Sequence, residues 1–510
     1  MKKPRLAAID IGTNSIRCIV VEVDAKRTFR ILDDERVPVR LGEGLHASGE
    51  IAAAAWQRAI EALGRLKKII DGFGVEAIEA VATSAVRKAA NGAAFIDTVK
   101  KEIGLSIQVI SGDEEAELAA LSALNNFDLE GTRQLLVDIG GGSLELILTI
   151  GQHTEEIYSL ELGAVYLTET FLAGQDPIPA LSCKNLRRHV RKTLKNIFAN
   201  EPLSVPSIIG SGGTITAIAA MTAASRKEAY DSVHGYEVLR SDIVHLLAML
   251  ERKSLKERRA ISGLNPERAD IIVAGVLVID ELMSFCQANL LRINERGIRE
   301  GLILRGLHRH RLATAERQTR SWRESVLAFA AACHFDETHC RHVAKLAGEI
   351  FKTLAQIYRF GEKEHRILEA AALLHDVGYF INYASHHKHS YHLIRHAGLF
   401  GFTPRERELI ALVARYHRKS LPKKRHEEFM RLSAPDQQLV MRLGGILRLA
   451  DGLDRRRTSA VKSIKAVIES SRLRLELHGN GDLSVEIYGA EVKSDLLQKA
   501  FKLRVELTQP

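Results

Sequence analysis

Two stretches of this 510-residue chain place a carboxylate just before a turn of small residues. In the first, Asp10-Ile11-Gly12 leads into Thr13, Asn14 and Ser15; in the second, Asp138-Ile139 leads into Gly140, Gly141, Gly142 and Ser143. A phosphate chain needs backbone N–H donors at close range, and only glycine or small polar residues leave that approach open. Carboxylates beside such loops suit Mg2+, which takes oxygen ligands and keeps several waters. Either aspartate alone would read as a turn-starting Asp bonded to its own backbone. A third turn, Gly210-Ser211-Gly212-Gly213-Thr214, lies between a strand-like run and a helical one, where a helix N-terminus adds free N–H groups for an anion. One glycine turn is weak; three, two of them in register, point to phosphate.

Thr83-Ser84-Ala85-Val86-Arg87 follows a strand-like run at 77–82. An arginine there can grip phosphate bidentately or simply cap the strand at the surface. Ser111-Gly112-Asp113-Glu114-Glu115-Ala116-Glu117 opens a helical pattern with four acids. Such acids complement the helix dipole at ~0.3–1 kcal/mol each, and composition alone favours that reading. It leaves open whether one carboxylate also faces a cleft and acts on water, help typically worth ~10²–10⁴ in rate.

The elements that would position these residues repeat. Leu6 to Val21 and Leu135 to Leu148 each read as an apolar strand, a polar turn and a second apolar strand. Two such hairpins, about a domain length apart, suggest a duplicated α/β domain with a cleft between its halves. After each, strands and helices alternate. The expected division is a first lobe at 1–125 and a second at 126–310. Helical periodicity then predicts an all-α domain at 315–460, after a polar linker at 309–319. A small α+β segment at 461–510 is expected to hold a hairpin around Gly479-Asn480-Gly481-Asp482 and a helix near 496–501.

Charge divides the chain as well. Up to His310 there are 38 Lys and Arg against 40 Asp and Glu, and beyond it 34 against 23, with 13 of the 20 histidines. A basic surplus confined to one part suggests a polyanion, or else a solvated basic face. The ordinary apolar and charged content, 46% and 26%, excludes a disordered chain, a collagen-like fibre and a small disulfide scaffold. No apolar run reaches the ~18 residues that span a bilayer, so no membrane association is expected. The N-terminus is a poor signal peptide, and the five cysteines form no C-x-x-C pair, so reduced thiols in the cytoplasm are expected.

These motifs, with Arg299-Glu300-Gly301-Leu302, occur in an order that resembles the exopolyphosphatase/guanosine pentaphosphate phosphatase family over nearly the whole chain. The resemblance implies two actin-like, ribonuclease H-like ATPase lobes and Mg2+-dependent hydrolysis of terminal phosphates in the cleft. It implies that Glu115 is the catalytic glutamate and that Asp138 positions Mg2+ and water. Glu145 is the acidic residue after the glycine turn, and Arg87 the arginine near the phosphates. Asp10 and Glu145 are further metal-ligand candidates beside Asp138. Thr13, Asn14, Ser15, Gly140, Gly141, Gly142, Ser143, Gly212, Gly213 and Thr214 are the candidate phosphate-binding residues. A homodimer is implied by resemblance only.

The helical part resembles the HD superfamily of metal-dependent phosphohydrolases, in which a His, an adjacent His-Asp pair and a distant Asp bind one metal. His342, His375, Asp376 and Asp451 fill those positions here, which implies a second divalent metal in the protein; for the additional histidines His386, His387, His389 and His417, a further metal at this site and a basic, polyanion-facing wall are both open. Many proteins of this architecture have lost such ligands, so an active and a vestigial site are both open. The leading expectation is an exopolyphosphatase releasing terminal orthophosphate, its polyphosphate tracked by the basic part. The alternatives are hydrolysis of guanosine pentaphosphate at the same site and a non-catalytic polyphosphate or nucleotide sensor. Nucleic acid is not an expected partner.

Overall fold

Runs of Ile, Val, Leu and Ala, buried on both faces, build the strands around both candidate turns. In the computed structural model the first sheet contains β1 (Arg5–Ile11), β2 (Ser15–Val23), β3 (Phe29–Pro38), β4 (Ala77–Ala82) and β5 (Gln108–Val109), in the order β3-β2-β1-β4-β5. The second contains β6 (Arg133–Ile139), β7 (Leu144–Ile150), β8 (His153–Leu160), β9 (Ser207–Ser211), β10 (Glu237–Leu239) and β11 (Leu290–Ile293), in the order β10-β11-β9-β6-β7-β8. The pairings correspond. β1 is antiparallel to β2 and parallel to β4, as β6 is antiparallel to β7 and parallel to β9. The duplication expected from the two hairpins is therefore a repeat of sheet topology, to which the second copy adds the antiparallel edge strand β10. Of the apolar-alternating run at 106–110, only the two residues of β5 form a strand.

The described residues are 3–23, 29–129, 133–151, 153–198, 203–228, 230–310, 312 and 321–510. The chain divides into two compact units, Met1–Thr319 and Arg320–Pro510. The linker expected at 309–319 lies, apart from Arg309, His310 and Leu312, outside the described residues.

Each sheet of the first unit is covered on both faces. On the first, the helices Ala53–Phe73 and Gly92–Ile103 bury Ala59, Leu63, Phe95 and Val99 against Ile9, Val20 and Ala82. The opposite face, with Leu6, Ala8 and Val81, packs on the helices Gly112–Asn126 and Gly297–Arg309. The second of these comes from the far end of the unit, so it belongs with the first sheet and not with the lobe in which sequence order placed it. Gly301 marks how close the two helices lie: a Cβ there would stand 2.0 Å from Leu118 O. Glu300 is buried at the same junction and accepts from Ser122 Oγ at 2.9 Å and from Asn126 Nδ2.

The second unit is helical from Trp322 to Gly452 among the described residues. It ends in a three-stranded sheet of β12 (Val461–Glu469), β13 (Arg472–Gly479) and β14 (Arg504–Thr508), in the order β12-β13-β14. The expected tail hairpin is displaced. The turn falls at Ser470-Ser471, and residues 484–493 after Gly479-Asn480-Gly481-Asp482 are a helix. Their apparent alternation misled because Val485 is 40% exposed while Leu483 is fully buried. Nor is the tail a body of its own, since Leu473, Leu475, Leu496 and Phe501 share one core with Leu346, Leu373 and Leu447 of the helices. Among the described residues no helix is long and apolar enough to cross a membrane. All five cysteines are buried and unpaired.

Candidate active site

Asp10 and Asp138 each sit one residue before the end of their strand, and each faces a charged residue across its hairpin: Asp10 is paired with Arg17, Asp138 with Glu145. The turns close alike, Gly12 N–H donating to Ser15 O at 3.2 Å and Gly140 N–H to Ser143 O at 3.0 Å. This corrects one expectation: the Gly140 amide is engaged within its own turn, leaving the Gly141, Gly142 and Ser143 amides as candidate donors. The two turns meet. A Cβ on Gly141 would stand 2.9 Å from Thr13 Cβ, and one on Gly142 2.5 Å from Ser84 Oγ and 3.1 Å from Thr13 Oγ1. Only glycine permits that contact between the lobes.

β9 brings up the third turn. Gly212 has φ +99°, and a Cβ on it would lie 2.4 Å from Ile139 O, so a left-handed backbone and a close approach both require glycine. The helix Gly213–Ser225 starts here, and the N–H groups of its first turn have no intrahelical acceptor. Ser211 Oγ donates to Asp138 Oδ1 at 2.6 Å, tying this turn to the aspartate. The Thr214 side chain is fully buried and leaves its amide as its offering.

The acid cluster is resolved by burial. Ser111 and Glu114 form a reciprocal cap: Ser111 Oγ accepts from Glu114 N–H at 3.1 Å, and Glu114 Oε2 accepts from Ser111 N–H at 2.9 Å. Glu115, one residue on, is 4% exposed and accepts from Arg87 Nη1 at 3.3 Å. Arg87, on the short helix Ser84–Lys88, also donates from Nη1 to Ile110 O at 2.6 Å. Its first identifiable role is thus to orient Glu115.

Asp10, Glu115, Asp138 and Glu145 sense one another. Burial pushes Glu115 up to about 8; Arg87 opposes the rise, while Asp10 and Asp138 add to it. Asp138 is pushed up to about 6 by burial, against the Ser211 hydrogen bond and with help from Asp10. Burial also raises Asp10, and raises Glu145 well above the usual range, reinforced by Glu115 and Asp138. Asp10 Oδ1 and Glu145 Oε2 are buried without a hydrogen-bond partner. The orphaned oxygens of Asp10 and Glu145 have the chemistry of hard-cation ligands, although among the described residues no three of the four acids offer ligand atoms within 4.8 Å of one another.

Sequence reasoning missed the arginines. Burial lowers Arg17 to about 10, with Arg299 and Arg36 adding to the fall, and lowers Arg268 to about 9, with Arg17 and Arg36 contributing. A Cβ on Gly213 would lie 2.2 Å from Arg268 Nη1, so this guanidinium rests on the third turn. Buried guanidinium groups that repel one another beside phosphate-type loops suit an anionic ligand. The available signal for Arg17 was its place opposite Asp10 in the hairpin; Arg268 had none.

In the second unit the expected metal set is corrected at one position. His375, Asp376 and Asp451 come together, but the fourth member is His339 and not His342. His339 Nε2 lies 3.6 Å from Asp451 Oδ1 and 3.9 Å from Asp376 Oδ2. Both histidines are on the helix Glu337–Tyr358, where positions three apart point to neighbouring directions, and spacing did not say which turn faces inward. His375 ends the helix Glu362–Leu374 and Asp376 starts the 3₁₀ turn Val377–Phe380. That break lets the adjacent pair converge. His386 and His417 also join Asp376.

Comparison with known proteins agrees with this architecture. Residues 19–310 match the model of the Ppx/GppA phosphatase family, and residues 322–487 match Ppx/GppA phosphatase, domain III. The chain is 33% identical over 320 residues to Exopolyphosphatase 2 of Mycobacterium tuberculosis, covering 60% of this chain and 99% of that one. Among solved structures it is similar to the Ppx/GppA family member of Aquifex aeolicus, with 30% identity, TM-score 0.53, and 60% of this chain and 98% of that one covered. It is also similar to an exopolyphosphatase from Cytophaga hutchinsonii, with 27% identity, TM-score 0.56, and 59% and 97% covered. With two α/β sheets of matching topology, paired glycine turns and buried carboxylates between them, the chain belongs to the Ppx/GppA phosphatase family.

Proposed function

We propose that the protein is an exopolyphosphatase that releases terminal orthophosphate from inorganic polyphosphate in the cleft of the α/β unit. The observation that carries this reading is the convergence of Glu115, Asp10, Asp138 and Glu145 beside the two glycine turns. The 33% identity to Exopolyphosphatase 2 supports polyphosphate as substrate, as does the basic surplus beyond His310, 34 Lys and Arg against 23 Asp and Glu.

Glu115 takes a proton from the attacking water. Its pKa of about 8 before a cation binds makes it a base matched to near-neutral pH. The water oxygen bonds to the terminal phosphorus, the bridging P–O bond breaks, and the shortened chain leaves with the electron pair. The Gly141, Gly142 and Ser143 amides and the first-turn amides of Gly213 and Thr214 face the charge that develops on the phosphoryl oxygens. Arg17 and Arg268 hold the chain beyond it. Asp10, Asp138 and Glu145 would hold Mg2+, which when bound neutralises phosphate charge and lowers the repulsion among the carboxylates.

Orthophosphate release assayed side by side with long polyphosphate and with guanosine pentaphosphate tests the proposal. Faster release from long polyphosphate per active site is expected. Preference for the nucleotide would move the assignment to guanosine pentaphosphate hydrolysis at the same residues, and no release from either would leave a binding module.

A further inference from the structure

The basic surplus of the second unit has a focus. Residues 415–426 carry six Lys and Arg and no Asp or Glu, running from the end of the helix Pro404–Arg415 to the short helix Glu427–Met430. Between this segment and the start of the helix His386–Arg395 lies a cavity of about 270 Å³. Lys388, Arg415 and Arg425 line it, with His387, Ser420 and His426 between them and Tyr416 beside His426, and no carboxylate is among its lining residues. Lys388 and Arg425 are exposed and form no ion pair among the described residues. Arg415 is held at the wall by Glu428, at 3.4 Å, and by the Tyr391 ring, 5.2 Å away. Like charges gathered around one cavity repel unless an anion shares the space.

The neutral groups of the cavity are arranged to donate. His426 Nδ1 accepts from Lys423 N–H at 3.3 Å and from the Tyr416 hydroxyl at 2.9 Å. A nitrogen that accepts carries no proton, so the His426 proton sits on Nε2. The ring is stacked on Tyr416, centroids 5.7 Å apart, which fixes that donor. His387 is 6% exposed, and its Nδ1 is buried without a hydrogen-bond partner. An orphaned buried polar atom is costly, and a ligand in the cavity would satisfy it. Size and charge narrow the ligand. The volume of about 270 Å³ holds about nine waters at ~30 Å³ each, the heavy-atom count of a diphosphate. Two phosphoryl groups bring roughly −3 to −4 charges, which Lys388, Arg415 and Arg425 largely offset. A single phosphoryl group would leave about half of the space and half of the charge unmatched.

We propose that this cavity binds free diphosphate, a small phosphoanhydride. None of the residues assigned to phosphate release lines it, and neither do the residues gathered on Asp376. Lys388, Arg415 and Arg425 neutralise the anion, while His426 Nε2–H and the Ser420 hydroxyl donate to its oxygens.

The test titrates full-length protein, stripped of divalent cations and desalted, with sodium diphosphate in a calorimeter at fixed ionic strength. Orthophosphate, sulfate and long polyphosphate are the other arms. The wild type should show a diphosphate site that the double variant Lys388→Gln, Arg425→Gln weakens ~10-fold or more, and that Arg268→Ala in the α/β unit leaves in place. Orthophosphate and sulfate should bind there at least ~10-fold more weakly. Equal affinity for sulfate would reduce the cavity to a generic basic surface, and an unchanged isotherm in the double variant would place diphosphate elsewhere; either overturns the proposal. Displacement of diphosphate by long polyphosphate at equal phosphate concentration would assign the cavity to the substrate chain and overturn the free ligand. Hydrogen exchange on the wild type decides without any variant: diphosphate should protect amides within 415–426, and unprotected amides there overturn the proposal. No turnover is measured, so neither result bears on the exopolyphosphatase reading.

Discussion

Arg87 and Glu115 form a part-buried ion pair in which one nitrogen does two jobs: Arg87 Nη1 donates to Glu115 Oε2 at 3.3 Å and to Ile110 O at 2.6 Å. The carbonyl fixes the guanidinium, and the guanidinium fixes the carboxylate at the mouth of its helix. Glu114, its neighbour in sequence, is committed to the Ser111 cap. Adjacent residues of one type thus have separable roles.

Glu115→Gln keeps the size and the Arg87 contact but removes the base, so kcat should fall ~100-fold or more while polyphosphate binding survives. Glu114→Gln should cost at most ~1 kcal/mol of stability through the cap and leave turnover nearly unchanged. Steady-state phosphate release and a binding assay on both variants check this. A drop of only a few-fold in Glu115→Gln would return Glu115 to a helix-dipole role.

Arg87 holds the Glu115 pKa down against burial. Arg87→Ala should therefore raise it above about 8, moving the acidic limb of kcat against pH upward and depressing turnover most at pH 7 and below. An unmoved limb with a raised KM would mean that the guanidinium serves the substrate instead.

The carboxylate cluster makes stability depend on pH in a direction opposite to that of ordinary surface acids. Glu115 and Asp138 have folded pKa values of about 8 and about 6, above their unfolded values. A raised pKa contributes stability that is complete below ~pH 4 and lost as pH rises through the folded values. With chelator present, Tm should fall between pH 5 and pH 9, and Mg2+ should raise Tm more at pH 9. Thermal melts with and without Mg2+ at both values measure it; a larger Mg2+ shift at pH 5 would contradict the cluster as the cation site.

Gly163 supports the second glycine turn from behind. A Cβ there would stand 2.4 Å from Gly141 O, Gly142 C and Ser143 N, all backbone. Gly163→Ala should displace the turn and reduce kcat/KM at least ~10-fold, with a Tm loss of a few degrees. Near-normal kinetics in the folded variant would show that the turn does not position the terminal phosphate.

The sequence made the two hairpins legible because a carboxylate before a glycine turn is a local pattern, and the strands around it alternate or run apolar. It made Asp10 and Asp138 candidates for the same reason, whereas Glu145 became one only through the family resemblance. What depended on packing was not legible. His339 and His342 lie one turn apart on one helix, and the choice between them is made by contact with Asp451 and Asp454. Arg268 reaches the third turn from a 3₁₀ turn more than fifty residues later in the chain. The tail hairpin was misplaced because Gly479-Asn480-Gly481-Asp482 has turn composition, while the actual turn at Ser470-Ser471 has little.

The helix Gly297–Arg309 bears on how the protein is made. It covers Leu6, Ala8 and Val81, residues that leave the ribosome long before it does. At ~5–20 residues per second, the part of that face covered by Gly297–Arg309 stays bare for roughly ten seconds or more after β4 is synthesised. During synthesis the nascent first lobe therefore exposes a flat apolar surface, and that interval is when it is most prone to aggregate or to need a chaperone.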